Sequence, residues 1–102
     1  MDPERISDFN IADVVKSTAG RDQGKLFYVI GTDPVYLTLA NGKDRPLDRP
    51  KRKKRKHVQK VLRSETRVAN KLLAGDKVLN SELREDLAEL RQKMQSHNQG
   101  GF

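Results

Sequence analysis

Residues 13–30 read Asp13-Val-Val-Lys-Ser-Thr-Ala-Gly-Arg-Asp-Gln-Gly-Lys-Leu-Phe-Tyr-Val-Ile30. Both ends of this stretch have strand chemistry and its middle does not. Asp13 to Thr18 is β-branched and partly alternating, and it stops at Ala19-Gly20. Leu26 to Ile30 is a short run of apolar, branched and aromatic residues between Gly24 and Gly31, the pattern of a strand buried on both faces. Gly20 and Gly24 stand four apart in the loop and permit backbone angles or close approaches that a Cβ obstructs.

Downstream the strand pattern continues. Val35, Leu37 and Leu39 alternate with Tyr36 and Thr38, and Asn41-Gly42 predicts a type I′ hairpin turn leading into a strand over 43–47. Pro46 and Pro50 lack amide donors, which confines this part to a sheet edge or a loop. A last strand over 57–62 would turn Val58 and Leu62 inward and leave Gln59 and Lys60 wet. Four or five short strands with tight turns predict a small antiparallel barrel, because a closed sheet protects its edges. Helical periodicity takes over after Ser64. Val68, Ala69, Leu72 and Leu73 share one face, with Gly75 placed to end the helix in a left-handed conformation. A second helix is expected from Asn80 or Ser81 as N-cap, with Glu82, Glu85 and Asp86 near its positive end. Its stripe of Leu83, Leu87, Leu90 and Met94 should pack on the first helix or on the barrel. The fold class expected is therefore mostly β with a helical extension. The barrel occupies 10–62 with a basic loop over 49–57, the two helices 63–96, and disordered tails 1–9 and 97–102.

The charge is not evenly spread. Of 102 residues 34% are hydrophobic and 34% charged, and the formal net charge is +7. Residues 1–48 carry six Lys or Arg against eight Asp or Glu, residues 49–63 carry nine cations and no carboxylate, and residues 64–102 carry six of each. A solubility device would be mixed in sign and spread over the surface. A block of nine cations is instead the footprint expected for an anionic partner, nucleic acid foremost. A chain without cysteine has no disulfides, thiolate zinc sites or thiol nucleophiles, and suits a reducing compartment. With an acidic, polar start and no apolar run near the ~18 residues of a membrane span, a soluble cytoplasmic protein with no membrane partner is expected.

Catalysis finds little support. Gly20 to Lys25 is not a Walker loop, since three residues rather than four separate the glycines and no Ser or Thr follows Lys25. His57 lies among cations and His97 in a polar tail, and the carboxylates are dispersed, so no metal site, cofactor or small-molecule substrate is expected. Five aromatics are present, none within the basic run. Recognition by serial base stacking is thus disfavoured, with Tyr36 the best stacking candidate and at least one of Phe27 and Tyr28 expected in the core.

Ala19-Gly-Arg-Asp-Gln-Gly-Lys25, with the flanking strands, resembles a KOW motif. It is similar to the AGRxxGK loop of the single-KOW ribosomal proteins of archaeal and eukaryotic large subunits and their small bacterial relatives. The resemblance runs over roughly residues 10–92, through Ala40-Asn-Gly-Lys43, the Pro-Lys-Arg-Lys-Lys run, Lys56-His-Val58 and a two-helix extension. Gln23, where a Lys often precedes the second glycine, and Phe27, where transcription-factor versions often carry a third, tilt the match toward the ribosomal type. The resemblance implies an SH3-like barrel and a non-enzymatic RNA-binding role on ribosomal RNA or its precursors, with ribosomal proteins as possible partners of the helices.

The cations expected to hold RNA are Lys16, Arg21 and Lys25 around the motif loop, Lys43, Arg45 and Arg49 after the hairpin turn, Lys51, Arg52, Lys53, Lys54, Arg55 and Lys56 in the basic run, and Lys60 beyond it. Arg21 and Arg45 are the foremost candidates for bidentate phosphate contacts. Gly20, Gly24, Asn41 and Gly42 are expected to shape the turns. The alternative is a protein-interaction adaptor on a ribonucleoprotein or transcription complex that uses the barrel or the Leu83 to Met94 face and keeps the basic run for steering.

Overall fold

The computed structural model describes residues 9–99, so residues 1–8 and 100–102 of the expected tails lie outside the described residues. Strands β1 (Asp13–Ser17), β2 (Leu26–Thr32), β3 (Tyr36–Ala40), β4 (Lys51–Lys54) and β5 (Val58–Arg63) form one antiparallel sheet in the order β4-β3-β2-β1-β5. Helices α1 (Arg67–Ala74) and α2 (Asn80–Gln99) follow it. The expected class, mostly β with a helical extension, is what the chain adopts.

The sheet cannot be flat. Its edge strands β4 and β5 would then lie about 19 Å apart, at ~4.8 Å per strand spacing. Only the 3-10 turn Arg55–His57 separates Lys54 from Val58, and four backbone steps reach at most about 14 Å. The sheet therefore curls. Thr18 N donates to His57 O (2.9 Å) and Arg55 N to Val35 O (2.9 Å), which carry the β1–β5 and β3–β4 pairings on to the two ends of the 3-10 turn, and the Lys53 ammonium donates to Ala19 O (2.8 Å), joining β4 to a segment not adjacent to it in the sheet. β4 and β5 share no ladder, so one seam stays open.

Curling gives the sheet two buried faces. Inside lie Val15, Phe27, Val29, Leu37, Leu39 and Val58, with Phe9 packed against them. Outside, Val14, Leu26, Tyr28 and Ala40 are covered by Val68 and Ala69 of α1 and Leu83 and Leu87 of α2. Each large side chain so covered contributes roughly 1.5–3 kcal/mol. This is why β2 reads as a continuous apolar run: its alternate residues enter different cores. It also settles where the α2 stripe goes, onto the sheet, with burial fading from Leu83 to the partly exposed Leu90 and Met94. The Tyr28 hydroxyl, under the helices, contacts Ser64 Oγ (2.8 Å) and donates to Asp86 of α2. Burial, aided by the Asp86 carboxylate, pushes its pKa up to about 12.

Several local expectations are corrected. No strand occupies 43–47; residues 41–50 form a loop, and the fourth strand is the basic run itself. Asn41-Gly42 is not a type I′ turn, which needs positive φ at both residues, because only Gly42 has it (φ 76). Asn41 instead accepts from Lys43 N (2.9 Å) and Arg45 N (3.0 Å) through its side-chain oxygen, holding a wider turn. Gly75 ends α1 as expected, at φ 76 with its N–H on Leu72 O. At the start of α2, Asn80 is not the cap. Glu82 Oε1 takes the Leu79 N–H (2.9 Å), as in a capping box, and the Asn80 side chain accepts from Leu47 N (2.8 Å). Phe9 belongs to the packed body rather than to a tail. The backbone stays helical to Gln99, past the expected boundary at 96, because no glycine or proline intervenes before Gly100.

Candidate nucleic-acid interface

The basic run is built into the sheet rather than projecting from it as a loop. β4 pairs with β3 in the register Tyr36 with Lys54, Leu37 with Lys53, Thr38 with Arg52 and Leu39 with Lys51. Directly opposed residues share a face. Lys51 and Lys53 therefore lie beside the buried Leu37 and Leu39, and both are half-buried, while Arg52 and Lys54 are exposed beside Tyr36 and Thr38. Methylene stems can cover apolar surface while the charged ends reach out. Lys53 does this, its ammonium meeting the Ala19 carbonyl beside Gly20.

Two loops meet at that end of the sheet. In the β1–β2 loop Gly20 and Gly24 both have positive φ (76 and 87). Lys25 Nζ lies 2.5 Å from Asp44 Oδ2, and an Arg45 guanidinium nitrogen lies 3.6 Å from the buried Asp22 carboxylate. The β1–β2 loop is thus fastened to the 41–50 loop. The hydrogen bond from Lys25, then that from the Asn41 amide, pulls the Asp44 pKa down to about 2. Arg45 Nε is buried without a hydrogen-bond partner, so this guanidinium is not saturated by Asp22. Arg21, exposed, stands on the same loop, and Lys43 and Arg49, also exposed, on the other.

A second group gathers at the β2–β3 turn. Asp33 accepts from Tyr36 N (2.7 Å) and Val35 N (2.9 Å), which with Arg52 lower its pKa. Arg52 bonds the other carboxylate oxygen (3.1 Å) and lies 3.9 Å above the Tyr36 ring, while Arg55 Nε donates to Asp33 O (2.8 Å). Lys54 and Lys56 flank this turn with Pro34 and the exposed Val35. One face of Tyr36, the expected stacking residue, is therefore already covered by a cation.

The predicted cations thus fall into two neighbouring groups. Lys25, Arg45, Arg52 and Lys60 each face a carboxylate, Lys60 reaching Asp13 Oδ2 at 3.2 Å. Among the described residues, Lys16, Arg21, Lys43, Arg49, Lys51, Lys53, Lys54 and Lys56 have no carboxylate in ion-pair range. Lys16 and Lys60 stand on β1 and β5, and Lys60 shares the Phe9 ring with Arg55 of the second group, each cation 5.6 Å from the ring centroid. Two cations escaped the sequence reading. Arg84 and Arg91 of α2 donate to Gly42 O (2.7 Å) and Gly24 O (3.3 Å), bringing the helix to the edge of the two-loop group. Their signal was present as the spacing Arg84, Leu87, Ala88, Arg91, one face of a helix. No cluster of three or more His, Cys, Asp or Glu able to hold a metal occurs among the described residues, and no described helix is long and apolar enough to cross a membrane. Comparison with protein-family models and with curated proteins finds no match to this sequence.

Proposed function

We propose that the chain is a non-enzymatic RNA-binding module of the single-KOW, SH3-like type that grips ribosomal RNA or a ribosomal precursor by its phosphates. The observation that carries this reading is the placement of an all-cationic edge strand beside the motif loop, with Lys53 touching Ala19 next to Gly20 and Arg21. The curled five-strand order and the turn geometry at Gly20 and Gly24 support the KOW resemblance. Eight of the thirteen predicted cations lack an acidic partner among the described residues, enough for roughly six to eight phosphate contacts. Leu83 is fully buried against the sheet, which takes the start of the α2 stripe out of a partner's reach and weakens the adaptor alternative. Titration with a structured ribosomal RNA fragment tests the reading. Affinity should fall about 10³-fold or more between 50 and 200 mM salt, and a flat response would overturn it. Duplex DNA at matched salt should bind less tightly, and co-sedimentation with ribosomal fractions should be lost in the Lys53, Lys54, Arg55 to Glu triple variant.

A further inference from the structure

Between the two fastened loops and α2 lies a cleft of about 650 Å³. Its chemistry is divided. Lys25, Lys43, Arg84 and Arg91 line it with one carboxylate, Asp44, and its apolar part is Leu26, Leu87 and Ala88. Asp44 is already engaged by Lys25 at 2.5 Å and the Asn41 amide at 2.8 Å. Lys43, Arg84 and Arg91 are therefore an excess of positive charge against which no described acidic group is set.

The two arginines are held in place without being neutralised. Each gives one N–H to a backbone carbonyl, Arg84 to Gly42 and Arg91 to Gly24. A guanidinium has five donors, so the others stay available, and a neutral carbonyl leaves the charge intact. Both anchoring carbonyls belong to glycines in the left-handed region, at φ 76 and 87. Those turns thus do more than reverse the chain; they aim acceptors at the helix.

Fixed cations beside an apolar floor match a ligand that is anionic at one end and flat and weakly polar at the other. We propose that the cleft holds one nucleotide of the bound RNA, its phosphate against Lys43, Arg84 and Arg91 and its sugar and base over Leu26, Leu87 and Ala88. The inference rests on the RNA-binding reading and extends that interface onto α2. The cleft shares Lys25 and Lys43 with the two-loop group, so an RNA strand following those cations arrives at its mouth.

The test uses the full chain and two probes, adenosine 3′,5′-bisphosphate and inorganic phosphate, followed through the Nε–H resonances of arginine. Saturable shifts at Arg84 and Arg91, at least tenfold tighter for the bisphosphate, are expected because only that probe reaches the apolar floor. Arg91 is exposed, so Arg91→Gln should leave the melting temperature unchanged while lowering affinity for structured RNA about fivefold and the salt slope by about one. Arg84→Lys, which keeps the charge and loses the fork, should weaken bisphosphate binding. Unshifted arginine signals, or Arg91→Gln binding RNA like the wild type while Lys54→Gln binds it weakly, would overturn the cleft assignment and leave the wider reading intact. A wild-type chain that ignores structured RNA would instead remove both.

Discussion

At Gly42 the absence of a Cβ lets the 41–50 loop lie directly on α2. A methyl group there would sit well inside van der Waals contact with the Asn80 carbonyl oxygen and 3.1 Å from Leu83 Cβ, and the backbone is left-handed as well. Neither obstacle can be relieved by rotating a side chain, because the first is backbone. Gly42→Ala is therefore expected to destabilise the fold by about 2–4 kcal/mol, combining overpacking with left-handed strain. Gly24 has the same backbone hand, but an added Cβ meets nothing within 4 Å. Gly24→Ala should cost only about 1–2 kcal/mol. Urea denaturation of the two variants separates these contributions, and equal losses would mean that the close approach to Asn80 is not present in solution.

Among the elements, β4 gives the sharpest contrast because its two faces have different neighbours. Lys53 covers the inner core beside Leu37 and binds the β1–β2 loop, so Lys53→Glu should lower both RNA affinity and stability, the latter by about 1–2 kcal/mol for the lost packing and hydrogen bond. Lys54 is exposed, and Lys54→Glu should lower RNA affinity with stability changed by less than about 0.5 kcal/mol. A lysine-rich edge strand also discourages strand addition by other chains. If that were its whole purpose, Lys54→Glu would aggregate no more than the wild type and would bind RNA undiminished. The loop after β3 offers a second test. Its Asp44 has a folded pKa near 2, below the ordinary 3.8, so its pairing with Lys25 is in place above about pH 4 and is lost as pH falls toward 2. Because both partners are exposed by more than a third, the effect on global stability is small. The local readout is the Asn41 side-chain amide, whose resonance should titrate near pH 2; a midpoint near 4 would show the clasp open. The same elements show what the sequence could disclose. β2 was legible because both its faces meet apolar cores, and α1 because Gly75 marks its end. β4 was not, since four consecutive cations carry no apolar alternation, and its strand state comes from pairing with β3 and from stems covering Leu37 and Leu39. The candidate site was open to the sequence only as a list of cations. Its division into two groups was not, because Asp13, Asp22, Asp33 and Asp44 meet cations 19 to 47 positions away, a matter of topology rather than local pattern.

Over the whole molecule, the curl compresses a charge block of +9 onto adjoining parts of a body with extents of 39 × 35 × 27 Å. Four carboxylates from the N-terminal half reach cations of the candidate interface. They hold loops and turns in position, and they leave most of the charge uncompensated. Self-repulsion of that kind destabilises a compact state and is relieved by screening within about 10 Å at 0.1 M salt. Raising salt from 50 to 500 mM should therefore raise the melting temperature of the free chain. On the proposed RNA-binding role, the same salt should shrink the stabilisation that RNA provides, because binding driven by counterion release weakens as salt rises. With RNA at 100 times its dissociation constant the linkage gain is about 2.7 kcal/mol, roughly 10–20 °C for a domain of this size. Differential scanning calorimetry with and without RNA across that range should give two curves that converge as salt increases. Parallel curves would mean that RNA is held by contacts other than its phosphates, and a free chain that melts lower in salt would mean that the four ion pairs, not the repulsion among unpaired cations, dominate the electrostatics of the fold.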